Sequence, residues 1–384
     1  MNFPTTFFRA VVVAATGYVL CLPQGGSAAP PAGQATKING MTVSTPRGSS
    51  AWAGDEMVAT IAELKGIGVN WIAIHPYGRV RTDGTVSWSL PRRGRRPGAA
   101  RADGAAGTGG AQSTAPGGRD TAGGNVSGAM DTPPDWLRRP IEEAHRMGVK
   151  ILVKPHLENW RDYEWRGDIR YHSDQEWDRF FSTYTAWIVR LAAFSEGADA
   201  FVVGTELGGT THHEKRWREV IGAVREVYAG PLTYAANWDA YERVAFWDAV
   251  DWVGIQAYFP VLDEVAAEDD IPAQSAFDTG WRDIMRRVAD FSVRVGRPVV
   301  FTEAGYNNSP TAPYQPWDWK ARGDAEELQM RCMIAALRAI AAEPTVRGAF
   351  LWKWYPGDRV PRDFAMAAPN IRRIISEHWG GAGR

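Results

Sequence analysis

Two glutamates follow apolar segments of the kind that form buried β-strands. Glu206 stands in "AFVVGTELGG" and Glu303 stands in "PVVFTEAGYN". A carboxylate at the end of an apolar strand is either a charge at the rim of the fold or a group that takes part in catalysis. Two carboxylates that face each other can cleave a glycosidic bond, one by attacking the sugar and one by donating a proton. Which interpretation applies depends on whether the fold places the two carboxylates opposite each other.

The chain alternates between short apolar segments and amphipathic segments. Apolar residues recur every three or four positions in stretches such as "GDEMVATIAELKGIG", which predicts helices, and several of these stretches end in glycine. Helices that alternate with continuously apolar strands indicate a parallel sheet covered on both faces. About eight such repeats favour a single-domain (β/α)8 TIM barrel over an open, doubly wound sheet. The predicted strands are residues 38–43, 70–75, 150–155, 200–204, 232–236, 252–258, 299–302 and 349–352.

Two segments differ from the rest in composition. Residues 91–134 are rich in Gly, Ala, Pro and Arg and almost free of large apolar side chains, which predicts a disordered insertion after the second strand. A basic tether to an anionic wall polymer is the alternative interpretation of this insertion. Residues 1–29 combine an early Arg9, an apolar run and the small residues "GGSAAPP", which is typical of a signal peptide. We therefore expect a secreted or periplasmic protein whose barrel domain spans residues 37–379.

Overall composition narrows the class of protein and its partners. The formal net charge of -1 over 384 residues argues against a nucleic-acid binder, which usually has a strong basic bias. No apolar run reaches the ~20 residues of a membrane-spanning helix. Cys21 lies in the predicted signal peptide and Cys332 is left alone, so no internal disulfide is expected. We expect a monomer.

Polar and aromatic residues are concentrated where the predicted strands end. In a TIM barrel these ends form the face that carries the active site. The segments "HPYGR", "KPHLENW", "GTEL", "ANWD", "QAYFP", "TEAGYN" and "WKWYP" follow strands two to eight in turn. The fourth and seventh strands lie on opposite sides of such a barrel, so Glu206 and Glu303 can face each other across its mouth. That arrangement favours catalysis over a pair of rim charges.

This pattern resembles clan A glycoside hydrolases and, within them, glycoside hydrolase family 113, the TIM-barrel β-mannanases. The motifs "VVGTEL", "WVGIQAYFP", "VVFTEAGY" and "GAFLWKWYP" carry the resemblance, which extends from about residue 37 to 379 apart from the insertion. It implies that Glu206 is the acid/base, that Glu303 is the nucleophile and that β-1,4-mannan is the substrate. Many clan A members have an Asn before the acid/base, where it holds the sugar 2-hydroxyl. Thr205 stands there instead.

Further residues at the strand ends are candidates for substrate binding. Tyr258 ends the sixth strand and is placed to donate a hydrogen bond to the nucleophile. Indole rings can stack on pyranose faces, and imidazole, ammonium and amide groups can bind sugar hydroxyls. The candidates for these contacts are His75, Tyr77, Lys154, His156, Asn159, Trp160, Asn237, Trp238, Trp352 and Trp354.

Other chemistries find little support. "HHEKRW" lacks the H-E-x-x-H spacing of a zinc helix, and no third ligand accompanies His75 and His156. No G-x-S-x-G motif is present, so a serine hydrolase is disfavoured and we expect neither a metal nor a cofactor. Two hypotheses remain, namely an exported retaining glycoside hydrolase and a non-catalytic or weakly catalytic barrel that binds cell-wall or surface glycan. For the enzyme, a β-glucan or an amino-sugar chain is an alternative polymer.

Overall fold

A computed structural model of the chain describes residues 36–45, 48–88, 132–158, 165–264, 271–318, 323–357 and 364–380. Within these ranges, eight parallel strands close into a barrel, which confirms the predicted (β/α)8 TIM barrel. The predicted signal peptide and nearly all of the predicted insertion lie outside the described residues. The barrel strands, numbered here one to eight, are Ile38–Val43, Trp71–Ile74, Lys150–Val153, Ala200–Thr205, Leu232–Asn237, Trp252–Gln256, Val299–Ala304 and Val346–Trp354.

The barrel has two apolar cores because successive side chains of a strand point to opposite faces. The inner core fills the barrel, where the Trp71 ring lies edge-on to the rings of Trp252 and Phe350 at centroid distances of 6.3 and 6.1 Å. The outer core lies between the strands and the helices. There Val299 and Phe301 are fully buried, whereas their neighbour Val300 belongs to the inner core. This alternation is why the strands are apolar throughout.

Helices follow most of the strands and their ends carry recognisable signals. Ser173 and Glu176 form a capping box at the start of the third helix, and Gly296 ends the fifth helix with a left-handed φ of 65°. Trp177, Trp187 and Trp217 are buried on helices. The α-helices of the described residues are Asp55–Gly66, Asp135–Arg146, Asp174–Phe194, Glu214–Arg225, Gln274–Val295, Glu326–Ala342 and Pro369–Trp379.

Three short strands outside the barrel were not predicted. Tyr77–Val80 pairs antiparallel with Val86–Trp88 and parallel with His156–Glu158, in a register that sets Tyr77 beside His156. This small sheet extends the second and third barrel strands beyond the barrel mouth and so positions the residues that follow them.

Other element boundaries also differ from the sequence-based expectation. Several predicted helical stretches end in glycine, but the helix Glu214–Arg225 ends before the glycine of its stretch, Gly230, which therefore does not cap it. The helix Pro369–Trp379 was not predicted, and its Ile371, Ile374 and Ile375 are buried. Nowhere in the described ranges is there a helix of the length and hydropathy needed to cross a membrane.

Candidate active site

Glu303 lies in a buried network of hydrogen bonds at the end of the seventh strand. Only 4% of the residue is exposed. The hydroxyl group of Tyr258 donates a hydrogen bond to Glu303 Oε2 at 2.6 Å. The ammonium group of Lys154 donates to Glu303 Oε1 and also to the carbonyl oxygen of Thr302 at 3.0 Å. Both carboxylate oxygens therefore have donors that fix the side chain and balance its charge.

A register shift directs Glu303 into this network. On the seventh strand Phe301 pairs with Ile255, but the next pair along the ladder is Glu303 with Gln256, so Thr302 is an extra residue. Strict alternation would have placed Glu303 on the outer face together with Val299 and Phe301. Bulges of this kind redirect a side chain and occur next to active sites.

Lys154 follows the third strand and is wholly buried. Burial lowers the pKa of Lys154 below its ordinary value, and the neighbouring negative charge of Glu303 opposes this effect. The ammonium group also lies 4.8 Å from the ring centroid of Trp352, a geometry that favours a cation. Lys154 therefore holds Glu303, whereas we had expected it to bind sugar hydroxyls.

Two histidines and two aromatic side chains cluster beside Glu303. The rings of His75 and His156 lie 5.1 Å apart, Tyr77 is edge-on to both, and Trp352 stacks on His156 at 5.9 Å. His75 Nε2 shares a hydrogen bond with the hydroxyl of Ser44 at 3.0 Å. Four of the predicted substrate-binding residues are therefore brought together here.

Each of the two imidazoles has one buried nitrogen without a hydrogen-bond partner among the described residues. These nitrogens are His75 Nδ1 and His156 Nε2, and His156 Nε2 lies 3.7 Å from Glu303 Oε1. Burial lowers the pKa of both well below the ordinary value, with further contributions from Lys154 to His75 and from Arg166 to His156. Neutral imidazoles can donate or accept, which suits hydroxyl groups.

Glu206 has a different environment, immediately after the fourth strand. Its backbone adopts a left-handed φ of 55°, which is uncommon for a residue with a side chain. The fifth strand holds this turn, because the Glu206 amide donates to the carbonyl of Ala235 at 2.8 Å and the Leu207 amide donates to the Tyr234 hydroxyl at 2.9 Å. Strain of this kind is commonly found at functional sites.

The Glu206 carboxylate pairs with residues that the sequence analysis had not selected. Arg166 Nη1 donates to Glu206 Oε2 at 2.8 Å, and the Trp165 indole donates to the same oxygen at 3.3 Å. Burial raises the pKa of Glu206, Arg166 lowers it, and the charge of Glu303 raises it again, leaving it above the ordinary value. The only sequence signal for this pair was a charged and an aromatic residue in a loop at the catalytic end of the barrel.

A cavity of about 290 Å³ opens beside Glu206. Trp165, Tyr234 and the predicted residue Asn237 contribute to its lining, together with Arg170 and Asp239. This cavity offers charged and polar groups next to the carboxylate.

The remaining predicted residues have different locations. Asn159 and Trp160 lie outside the described residues. Trp238 lies half-buried in the loop after the fifth strand, where it stacks on Trp317. Trp354 is 1% exposed and packs in the outer core, so of the two tryptophans on the eighth strand it is Trp352 that reaches the site. Thr205 is buried, and its hydroxyl has no partner among the described residues.

A closed (β/α)8 barrel with polar residues and two glutamates at its catalytic end has the architecture of a glycoside hydrolase. Comparison of the sequence with known families is decisive, because the profile described as "Glycoside Hydrolase Family 113" matches residues 130–365, more than half of the chain. The protein belongs to glycoside hydrolase family 113. It is therefore a glycoside hydrolase, and its substrate is a carbohydrate.

Solved structures of this family are similar over nearly the whole chain. The GH113 β-mannanase AaManA from Alicyclobacillus acidocaldarius, in complex with ManMIm, is 25% identical with a TM-score of 0.67, covering 90% of this chain and 97% of that one. A second GH113 β-1,4-mannanase structure is 19% identical with a TM-score of 0.69, covering 90% and 99%, and supports the fold alone. No match was found among curated protein sequences.

Proposed function

We propose that the protein is a retaining glycoside hydrolase that cleaves β-1,4-linked mannan, with Glu303 as nucleophile and Glu206 as acid/base. The observation that carries the proposal is the contrast between the two carboxylates. Glu303 is buried with a cation and a phenol on its two oxygens, and Glu206 has a raised pKa beside a cavity. The first environment suits a fixed, ionised nucleophile and the second suits a group that holds a proton.

The reaction would proceed in two displacements. Glu303 attacks the anomeric carbon while the protonated Glu206 donates its proton to the departing oxygen, which gives a covalent glycosyl-enzyme. Glu206, now ionised, then takes a proton from water, and that water releases the sugar from Glu303. The product keeps the β configuration because each displacement inverts the anomeric centre once. Tyr258 and Lys154 hold Glu303 in one orientation throughout.

The choice of mannan is supported at the family level. A β-mannanase that is 25% identical covers nearly the whole of both chains. The unpaired nitrogens of His75 and His156, the exposed part of Trp352 and the amide of Asn237 offer the hydrogen bonds and the stacking surface that a pyranose ring requires. We assign the sugar next to Glu303 to the cluster of His75, His156, Tyr77 and Trp352.

The test is hydrolysis of a panel of β-linked polysaccharides by the purified protein. We expect reducing ends to appear with β-1,4-mannan, and far fewer with a β-glucan or an amino-sugar chain. Proton NMR of the first product should show the β-anomer before mutarotation. A first product of α configuration would exclude retention. Binding of a polysaccharide without any cleavage would instead support the glycan-binding alternative.

We also propose that the protein is exported, on the basis of the signal-like composition of residues 1–29. Expression of the full chain in a bacterial host should yield a secreted or periplasmic protein whose amino terminus begins at Pro30. An intact amino terminus in the cytoplasmic fraction would contradict export.

A further inference from the structure

An exposed pair of tryptophans lies at the catalytic end of the barrel. Trp317 stacks on Trp238, with ring centroids 5.2 Å apart and an angle of 22° between the rings. Trp317 is 41% exposed and is the one aromatic among the exposed large apolar side chains of the described residues; the others are Val227 and Val293. Because one face of the Trp317 ring stacks on Trp238, the exposed part of the indole offers a flat apolar surface on which a ligand could stack. We call this pair the tryptophan platform.

A buried aromatic ring and a buried amide group support the tryptophan platform. The Trp238 ring is edge-on to Phe259 at 6.0 Å, and Phe259 is buried. The amide group of Asn307, itself 1% exposed, donates to the carbonyl oxygens of Gln315 and Asp318 at 3.4 and 3.1 Å, on either side of Trp317. A buried polar group thus fixes the backbone that carries the exposed ring, and a preorganised ring loses little entropy when a ligand binds.

The loops that carry the platform belong to the active-site face. Trp238 directly follows Asn237, which lines the same cavity as Glu206, and Trp317 lies in the loop that follows the strand of Glu303. The loop after the sixth strand joins them, because the Val261 amide donates to the carbonyl of Pro313 at 2.7 Å. The platform therefore lies on loops of the barrel face that carries both glutamates.

We propose that the tryptophan platform binds a pyranose ring of the polysaccharide substrate at a position outside the one where the bond is cleaved. The apolar C–H face of a pyranose is flat and matches the exposed face of Trp317, while the sugar hydroxyls remain in water at its edge. The occupant is thus an outer sugar unit of the same β-linked chain, and the proposal rests on the proposed function. A second copy of the protein on this face is the alternative occupant.

Kinetics with a long and a short substrate test this proposal. Trp317→Ala should lower kcat/KM for β-1,4-mannohexaose about three- to tenfold, the range expected for loss of one aromatic stacking contact. The same variant should leave kcat/KM for 4-nitrophenyl β-mannoside unchanged, because a single sugar occupies only the position beside Glu303. Trp317→Phe keeps a ring and should restore most of the activity on the hexaose.

The matched control is Val293→Ala, which removes another exposed apolar side chain, near the end of the helix Gln274–Val295. It should alter neither substrate, and melting curves should show that all three variants fold. Equal effects of Trp317→Ala on both substrates, or no effect on either, would overturn the platform while leaving the proposed function intact. If the wild-type protein elutes as a dimer on gel filtration and Trp317→Ala elutes as a monomer, the platform binds a second copy of the protein and the proposal is wrong. Failure of the wild-type protein to cleave any β-linked chain would instead overturn the proposed function, and the platform with it.

Discussion

The surroundings of Glu303 and Glu206 differ more than their similar sequence contexts suggest. Both glutamates end apolar strands and both contact a cation. Lys154 beside Glu303 is fully buried, whereas Arg166 and Glu206 keep 18% and 13% of their side chains exposed. Glu303 has donors on both oxygens, while within the described ranges both donors to Glu206 converge on its Oε2.

This difference separates two chemical tasks. A nucleophile has to stay ionised and fixed, which a buried ion pair and a phenol achieve. An acid/base has to gain and lose a proton during each turnover, so it needs a raised pKa and access to water. The four predictions below test whether the two environments carry these two roles.

The largest effect is expected from removal of the nucleophile. Glu303→Gln cannot form the glycosyl-enzyme, so kcat should fall by roughly 10⁴-fold or more. Turnover of β-1,4-mannan by the purified variant measures this loss. Addition of azide should yield at most an α-glycosyl azide, because only one inversion remains possible. Wild-type turnover in this variant would show that Glu303 is a structural charge.

Removal of the acid/base should have a smaller effect that depends on the substrate. Glu206→Gln should lower kcat on mannan by roughly 10²- to 10⁴-fold, the usual contribution of general acid–base catalysis. An aryl mannoside with a good leaving group needs no proton, so its first step should persist. Azide should then restore turnover and give a β-glycosyl azide. An α-glycosyl azide from Glu206→Gln would mean that Glu206 is the nucleophile and Glu303 is the acid/base.

Removal of each cation should distinguish the two environments by stability. Lys154→Met leaves a buried carboxylate without its counter-charge, which typically costs about 3–5 kcal/mol of folding free energy. Arg166→Gln should cost less, because Glu206 is reached by water and can take up a proton. Urea unfolding of both variants at pH 7 measures the difference. Equal losses would mean that the two carboxylates are equally buried in solution.

The smallest effect concerns pH. Arg166 lowers the pKa of Glu206, so Arg166→Gln should raise that pKa further. A general acid is lost as pH rises through its pKa, and the alkaline limb of kcat/KM on mannan should therefore move to higher pH. Arg166→Lys keeps the charge and should show a smaller shift. With an aryl mannoside that has a good leaving group, the alkaline limb should not shift. If the limb on mannan stays at the same pH in Arg166→Gln, Arg166 does not set the pKa of Glu206.

Local sequence patterns determined the barrel and the two strand-end glutamates. Continuous apolar strands and amphipathic helices are recognisable from residues close together in the sequence. Each element forms as predicted because its own apolar face becomes buried in the fold. The position of Tyr258 relative to Glu303 also followed, since consecutive strands of a parallel barrel are neighbours and end at the same face. These features need only the order of the elements.

Tertiary structure alone decided the orientation of the two glutamates and which cation each of them contacts. The period of two along the seventh strand predicts an outward Glu303, and the extra residue Thr302 in the ladder with the sixth strand reverses this. The left-handed turn at Glu206 depends on Ala235 and Tyr234 of the neighbouring strand. Lys154 and Arg166 reach their carboxylates over separations of 149 and 40 residues. Such contacts depend on the registers of several strands at once, and no local pattern of residues encodes a register between distant segments.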